Sequence, residues 1–393
     1  MKAIVLGMGL QGKAVIHDLE QSNLISKIFA ADINLDNAQS YLKQMGYSKT
    51  EVLKLDVSQD QDLAGTYSKL GIDIVICMLP IELALTAARA AMYAEIPFVS
   101  SNYTYQLQEL DSLAKEKNSI ILPEMGLDPG IDLVLGRMAV DQLDQVFGLY
   151  SYGGGVPAPE CADDSPIRYK ISWIFDRVLA VYTRESRLWK EGKLHIVPGD
   201  EIFKPENVHE IKFPGIGTVE AYPNGDAERY IKIFGLGKEL MEMGRFALRW
   251  PGHSKFWHTM VKLGLLSDTP VSGIETKILP RSFLTQWLTP RLQYTDKQRD
   301  LALLRIEAWG IKNGKKVKIT YDLVDYRDLS TGLFAMNRTV GFTSSFGAQM
   351  ILSGKITGAG VLSPVRDVPP KPFMEEVKKR GMRVDYRIEE MAE

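Results

Sequence analysis

Met1-Lys-Ala-Ile-Val-Leu-Gly-Met-Gly-Leu-Gln-Gly-Lys13 opens the chain. Ala3 to Leu6 is a short apolar run rich in branched residues, the composition of a buried strand. Gly7-x-Gly9-x-x-Gly12 follows at once, and Val15, Ile16 and Leu19 then recur at helical spacing. Strand, glycine turn and helix is the context in which this spacing points to a dinucleotide. Gly7 permits the tight turn, Gly9 lets the backbone approach a pyrophosphate, and Gly12 lets helix and strand pack closely. The diphosphate is expected on the unpaired N–H groups of Leu10, Gln11 and Gly12 at the helix N-terminus, where the dipole favours an anion.

Lys27-Ile-Phe-Ala-Ala31 reads as a second strand and ends in Asp32, twenty residues after Gly12. An acidic residue there hydrogen-bonds the adenosine ribose hydroxyls of a dinucleotide. A carboxylate repels a 2′-phosphate, and no arginine follows in Ile33-Asn34-Leu35-Asp36. The expected cofactor is therefore NAD, with NADP possible. The bland alternative is that Asp32 caps the following helix.

At 393 residues the chain exceeds one ordinary core, so two domains are expected, with room for a helical insertion. A hydrophobic fraction of 45% and a charged fraction of 24% are those of a soluble globular protein. A net charge of −2 gives no reason to expect nucleic acid or an anionic membrane as partner. The apolar N-terminus is interrupted by glycines and preceded by a single Lys, so it reads as a strand and not as a secretory signal. No apolar run is long enough to span a bilayer. Cys77 and Cys161 form neither a metal spacing nor a disulfide framework, which is simplest to explain in a cytoplasmic, reducing setting. No metal site is expected.

Glu51-Val-Leu-Lys-Leu-Asp56 is a third strand candidate, and Ile72 to Leu79 is the next apolar run, ending at Pro80. Leu79, Pro80 and Ile81 are expected at the carboxyl edge of the sheet, above the cofactor. Ala84 to Tyr93 reads as a helix, Phe98 to Ser101 as a strand leading to Asn102 and Tyr103, and Ser119 to Leu122 as one more strand. This alternation predicts an α/β, doubly wound parallel sheet of the Rossmann type.

The texture changes at Glu124-Met-Gly-Leu-Asp-Pro-Gly-Ile-Asp132. Asp128-Pro129-Gly130 is turn chemistry, followed by a predicted helix from Ile131 to Val140. Asp128 and Asp132 flank that helix start, either as caps or as part of a loop at the mouth of the nicotinamide site. Next comes Tyr150-Ser-Tyr-Gly-Gly-Gly-Val-Pro-Ala-Pro-Glu160. Three consecutive glycines beside an aromatic strand suggest a backbone passing close to a ligand or to another strand; a flexible surface loop is the alternative.

Beyond it, Gly217 to Tyr222 alternates like a strand, and Lys238 to Leu266 has helical spacing broken at Trp250-Pro-Gly252. That stretch predicts a helical insertion over about 238–301. Leu303–Ile311 and Lys316–Asp325 read as a strand pair joined by a turn at Asn313-Gly314. Thr331–Leu352 reads as a helix whose small residues pack on the sheet, and a charged helix ends the chain. The histidines are scattered, with His17 on a surface helix and His253, after Pro-Gly, in a solvated or capping position, a cleft-facing one being the alternative. The domain expectation is residues 1–125 completed by 335–393, and a mixed α+β domain over 126–334 that binds substrate.

These residues carry a resemblance. The N-terminal fingerprint, Gly126-Leu-Asp-Pro-Gly-Ile-Asp132, Gly154-Gly-Val-Pro-Ala-Pro-Glu160, Tyr169-Lys-Ile-Ser-Trp173, Tyr222-Pro-Asn224, Leu248-Arg-Trp-Pro-Gly252 and Gly358-Ala-Gly-Val-Leu362 resemble saccharopine dehydrogenases of the glutamate-forming type over nearly the whole chain. The resemblance implies hydride exchange at a carbon bearing an amine, with a small amino acid or amine as substrate. It implies that substrate and nicotinamide meet among Tyr103, Asp128, Gly153 and Trp173, with Asn224 a further substrate contact. Asp128 would stabilise a cationic iminium and relay a proton. A homodimer is a family expectation.

The chain also departs from the pattern. Gly153 stands where the family has cysteine, Leu133 where it has histidine, and Gly225 where it has an arginine suited to clamping a carboxylate. Lysine 6-dehydrogenases and carboxynorspermidine-type dehydrogenases share the scaffold and are the rival enzymes. A catalytically silent dinucleotide-binding protein is the rival of another class.

Overall fold

The computed structural model describes residues 1–273 and 276–392. Its strands in chain order are β1 (Lys2–Leu6), β2 (Lys27–Asp32), β3 (Thr50–Lys54), β4 (Ile74–Cys77), β5 (Phe98–Ser100), β6 (Ile120–Leu122), β7 (Gln145–Pro157), β8 (Ser186–Lys190), β9 (Lys193–Val197), β10 (His209–Phe213), β11 (Gly217–Pro223), β12 (Glu242–Arg249), β13 (Asp300–Lys312), β14 (Lys315–Tyr326), β15 (Gly360–Val361) and β16 (Arg383–Glu390). The chain divides into two compact units, the first Met1–Leu135 with Asn337–Met382, the second Gly136–Met336 with the segment from Arg383. Among the described residues no helix is long and apolar enough to cross a membrane.

Unit 1 is a parallel sheet in the order β15-β6-β5-β4-β1-β2-β3. β1 pairs with β2 on one side and β4 on the other, so the winding reverses between β1 and β4. A crevice outside the carboxyl ends of the strands at such a reversal is where open α/β sheets bind ligands. Residues 3–6 of β1 and all of β4 are buried on both faces, which is why these strands read as unbroken apolar runs.

The helix Leu10–Glu20 buries Ala14, Val15, Ile16 and Leu19. The helix Ala335–Leu352 sets its small residues against that helix and against Met125. A Cβ on Gly341 would lie 2.7 Å from both the Gln11 carbonyl oxygen and Ala14 Cβ. Arg380 holds the returning C-terminal segment by two bonds to the buried Asp18, at 2.6 and 2.8 Å. Ser345 Oγ donates to the same carboxylate at 2.6 Å.

Unit 2 is a mixed sheet in the order β10-β11-β12-β7-β13-β14-β16, with β8 on β12 and β9 on β8. β7 lies at its centre, parallel to β12 and antiparallel to β13. The Asn-Gly turn between β13 and β14 has φ of +49° at Asn313 and +77° at Gly314, the positive pair that a type I′ turn requires.

The structure corrects several expectations here. The helical insertion does not begin at 238, because Glu242–Arg249 is strand β12, buried on both faces from Met243 to Leu248. An apolar run buried on both sides has no period to distinguish strand from helix. The helices of the insertion are His253–Lys262 and Pro280–Leu288, and β13 already starts at Asp300. The glycine run at 153–155 is not a surface loop but part of β7. The charged end of the chain is a helix, Pro370–Lys379, followed by β16, which pairs with β14 in unit 2 and not with unit 1. Residues 335 and 336 likewise group with unit 2.

Candidate active site

In unit 1 four loops are knitted together at the carboxyl ends of β1, β4, β5 and β6. Gly7 N donates to Ala31 O at 2.8 Å and Met78 N to Leu6 O at 2.8 Å. Asn102 Nδ2 donates to Leu79 O at 3.2 Å, Glu124 N to Asn102 O at 2.9 Å and Met125 N to Ser100 O at 2.9 Å. The sequence-predicted residues Gly7, Gly9, Asp32, Leu79, Pro80, Tyr103 and Asp128 sit on these loops or at the strand ends beside them, and Leu10, Gln11 and Gly12 form the first turn of the helix that follows β1.

The glycine loop fits a dinucleotide diphosphate. Gly7 has φ +92°. A Cβ on Gly12 would lie 1.9 Å from Gly7 O, whereas one on Gly9 would meet no atom within 4 Å. Gly12 is thus closed against the strand, while the space over Gly9 is open. Gly9 is the N-cap of the helix Leu10–Glu20, with no side-chain capping bond and no acidic residue in the first turn. Its first N–H groups are left for an anion.

Asp32 is held by two backbone donors, Met8 N to Oδ2 at 2.6 Å and Asn34 N to Oδ1 at 2.9 Å. The cap of the next helix is Asn34, whose side chain accepts from Asp36 N, so Asp32 is not that cap. Its carboxylate instead braces the glycine loop. Lys54 stands opposite Asp32 in the β2–β3 register.

The loop after β6 is tightly folded. Gly126 N donates to Pro129 O at 2.9 Å, and Ile131 N to Gly126 O at 2.9 Å. The Asp128-Pro129 peptide is cis and Gly130 has φ +147°. A Cβ on Gly130 would stand 2.1 Å from Gly126 O. Asp132, 2% exposed, accepts from Gly130 N at 2.7 Å and so serves the loop. Asp128, half-buried, is the carboxylate carried on its turn. The Tyr103 ring lies 5.2 Å from that of Tyr105.

In unit 2, Gly153 is paired with Ala247 on one side and Leu304 on the other. A Cβ on Gly154 would lie 2.5 Å from Leu248 O, and one on Gly155 2.7 Å from Met336 Cγ and 3.0 Å from Ser172 Oγ. Close packing on both sides therefore explains Gly154 and Gly155. Asn224 N donates to Arg245 O at 2.9 Å, and its Oδ1 is buried without a hydrogen-bond partner. Gly225 has φ +79°, a backbone conformation in which a side chain such as arginine is strained. Trp173 is 38% exposed.

Two cations in unit 2 lie inside the motifs quoted above but are not singled out by them as site residues. Arg249, at the end of β12, donates Nη1 to Leu248 O at 2.7 Å, and its Cζ lies 5.4 Å from the Tyr169 ring centroid. Its Nε is buried with no partner, and no carboxylate pairs with it among the described residues. Burial pushes the phenols of Tyr169, Tyr222 and Tyr294 above their ordinary range, so they stay neutral. His253 is buried, contrary to the solvated position expected. It bonds Tyr182 Oη through Nε2 at 2.8 Å, and burial followed by the Arg249 charge lowers its pKa well below the usual imidazole range. Arg249 is thus a cation among neutral rings. The signal in the sequence was an arginine inside a stretch otherwise suited to full burial. The second cation is Lys170, 6% exposed. Among the described residues no group of His, Cys, Asp and Glu could hold a metal ion.

Residues 3–122 match the family model for the saccharopine dehydrogenase NADP binding domain, and residues 126–382 that for the saccharopine dehydrogenase C-terminal domain. The chain belongs to the saccharopine dehydrogenase family. Unit 1 is its nicotinamide-dinucleotide domain. The chain is 27% identical to saccharopine dehydrogenase (NADP(+), L-glutamate-forming) of Saccharomyces cerevisiae, over 96% of each chain. It is 26% identical to mitochondrial alpha-aminoadipic semialdehyde synthase of Bos taurus, over 97% of this chain and 47% of that protein. It therefore spans about half the length of the mammalian relatives and nearly all of the yeast one. The structure of apo saccharopine dehydrogenase (L-Glu forming) from Saccharomyces cerevisiae superposes with a TM-score of 0.85 at 24% identity, covering both chains fully; the fold is shared.

Proposed function

We propose that this chain is a nicotinamide-dependent oxidoreductase acting on saccharopine. The substrate would be oxidised at the C–N carbon to an iminium, which water hydrolyses to glutamate and alpha-aminoadipic semialdehyde. The balance is saccharopine, oxidised cofactor and water on one side, and glutamate, semialdehyde, reduced cofactor and a proton on the other. A dinucleotide whose diphosphate lay on the Gly7–Gly12 cradle would supply the hydride acceptor. Asp128 stabilises the iminium as charge develops and relays the proton through water, with Tyr103 beside the reacting carbon. Gly153, Trp173 and Asn224 contact the substrate.

The observation that carries this reading is Arg249. A half-buried guanidinium whose Nε is buried without a partner is costly when no acid faces it, and a substrate carboxylate compensates it by a charge-assisted bond. An acidic amino-acid substrate fits that need. Gly225 supports a second reading, because it replaces the arginine clamp of the family at a φ of +79°, where a side chain is strained. A substrate with fewer carboxylates, lysine or carboxynorspermidine, would not miss it.

For the cofactor, the relatives are named for NADP(+), while Asp32 in this chain argues for NAD. No basic residue follows Asp32 directly, and Lys54 is the cation at this edge of the sheet that could meet a 2′-phosphate. The deciding measurement follows reduced-cofactor absorbance with NAD or NADP against saccharopine, lysine and carboxynorspermidine. Turnover of saccharopine supports the primary reading, turnover of lysine alone the second, and cofactor binding without any turnover removes both. A higher kcat/KM with NADP would show that Lys54 outweighs Asp32.

A further inference from the structure

Lys170 lies in the Tyr169-Lys-Ile-Ser-Trp173 stretch and is almost fully buried. Its ammonium has three protons to donate and makes one bond, to the carbonyl oxygen of Gln293 at 3.1 Å. No acid pairs with it among the described residues. Nζ stands 5.9 Å from the ring centroid of Tyr294, whose hydroxyl is buried and has no hydrogen-bond partner. Burial, and after it the charge of Asp300, keeps that hydroxyl protonated, so it is a donor. Asp300 itself has both oxygens taken, by Ala335 N at 2.8 Å and Met336 N at 3.2 Å. An ammonium and a phenol, both buried and both short of acceptors, are complementary to an anion with two oxygens.

We propose that Lys170 and Tyr294 form a second carboxylate seat, besides Arg249, that receives one of the two carboxylates of the glutamate half of the substrate. The inference rests on the saccharopine reading above and deepens it: two seats select a polycarboxylate over lysine. With Gly225 unable to supply a clamp, the seat also accounts for how this chain holds the remaining charge.

The test compares wild type with K170M, K170R and Y294F, in turnover of saccharopine and in the reverse reaction of the semialdehyde with glutamate, norvaline or 4-aminobutanoate. Loss of a hydrogen bond to a charged group predicts that K170M raises the KM for saccharopine about 10- to 100-fold with little change in kcat. K170R recovers part of that loss, and Y294F loses about 3- to 10-fold. In the reverse reaction, one of the two truncated amines, the one lacking the seated carboxylate, should show no KM change in K170M.

A purely structural tether to Gln293 predicts instead a lower Tm and an equal fall in kcat for every amine, and that result overturns the seat. Failure of the functional reading looks different, because the wild type itself would then not turn over saccharopine. Calorimetric titration of cofactor-loaded protein with glutarate judges the seat in that event. Binding weakened about tenfold or more in K170M supports it, and equal affinity in the two proteins, or no binding by either, overturns it.

Discussion

Two glycine-rich stretches, Gly7-x-Gly9-x-x-Gly12 in unit 1 and Gly153-Gly154-Gly155 in unit 2, serve different purposes. In the first, one glycine is closed by packing and another is open. Gly12 has Gly7 O at 1.9 Å from its would-be Cβ, while Gly9 has nothing within 4 Å. In the second, the glycines next to Leu248 and Met336 are closed, and the chain around them is continuous strand. A missing side chain therefore signals a ligand only where the space it leaves is empty. Where neighbours fill that space, the missing Cβ is a condition of packing.

The comparison is most easily broken at Gly12. Gly12→Val places branched carbon against the carbonyl of Gly7, and the expected cost is more than about 3 kcal/mol of stability together with loss of cofactor binding. Urea unfolding and NADH titration read both, and a stable variant would show that the turn can open. Gly154→Ala comes next. Its Cβ meets backbone across β7–β12 and cannot be relieved by a side-chain turn, so about 2–3 kcal/mol of destabilisation is expected while cofactor affinity stays unchanged. If cofactor affinity fell as much as stability, the two stretches would not be functionally separable.

At the end of β7, Pro157 pairs with Asp300, which burial pushes up to about 6 despite the bonds it accepts from Ala335 and Met336. A raised folded-state value favours the protonated native form. That contribution is full below the ordinary carboxylate range and is lost as pH rises through about 6. Stability should therefore fall by about 2 kcal/mol between pH 4 and pH 7 from this group, and Asp300→Asn should flatten that slope in unfolding followed across pH. The smallest expected effect is at Gly9. Gly9→Ala should leave stability within about 0.5 kcal/mol but weaken dinucleotide binding about tenfold, because the methyl occupies the diphosphate's path. Unchanged binding would remove Gly9 from the cradle.

The fold of unit 1 was legible because its strands are short apolar runs separated by helices, and each local pattern matches the global one. The placement of the candidate loop residues at the carboxyl edge of the sheet was legible for the same reason, since a strand end in a parallel sheet is a predictable place. Unit 2 was harder. β12 lies inside what reads as a helix because both of its faces are buried, and β16 is a charged edge strand that carries no alternation of apolar residues. Lys170 could be seen as a basic residue but not as a buried one, and Arg249 not as one whose Nε is buried without a partner.

By itself, then, the amino-acid sequence determined the glycine turn after β1, the doubly wound sheet, the position of Asp32 at the end of β2 and the family to which the chain belongs. These depend on spacing along the chain, which a sequence contains. The tertiary structure decided that the three glycines lie in a central strand, that the chain's last segment joins unit 2, and that Arg249 and Lys170 have no acidic partners among the described residues. Those are questions of what stands next to what across tens or hundreds of residues, and only the folded chain brings the neighbours together.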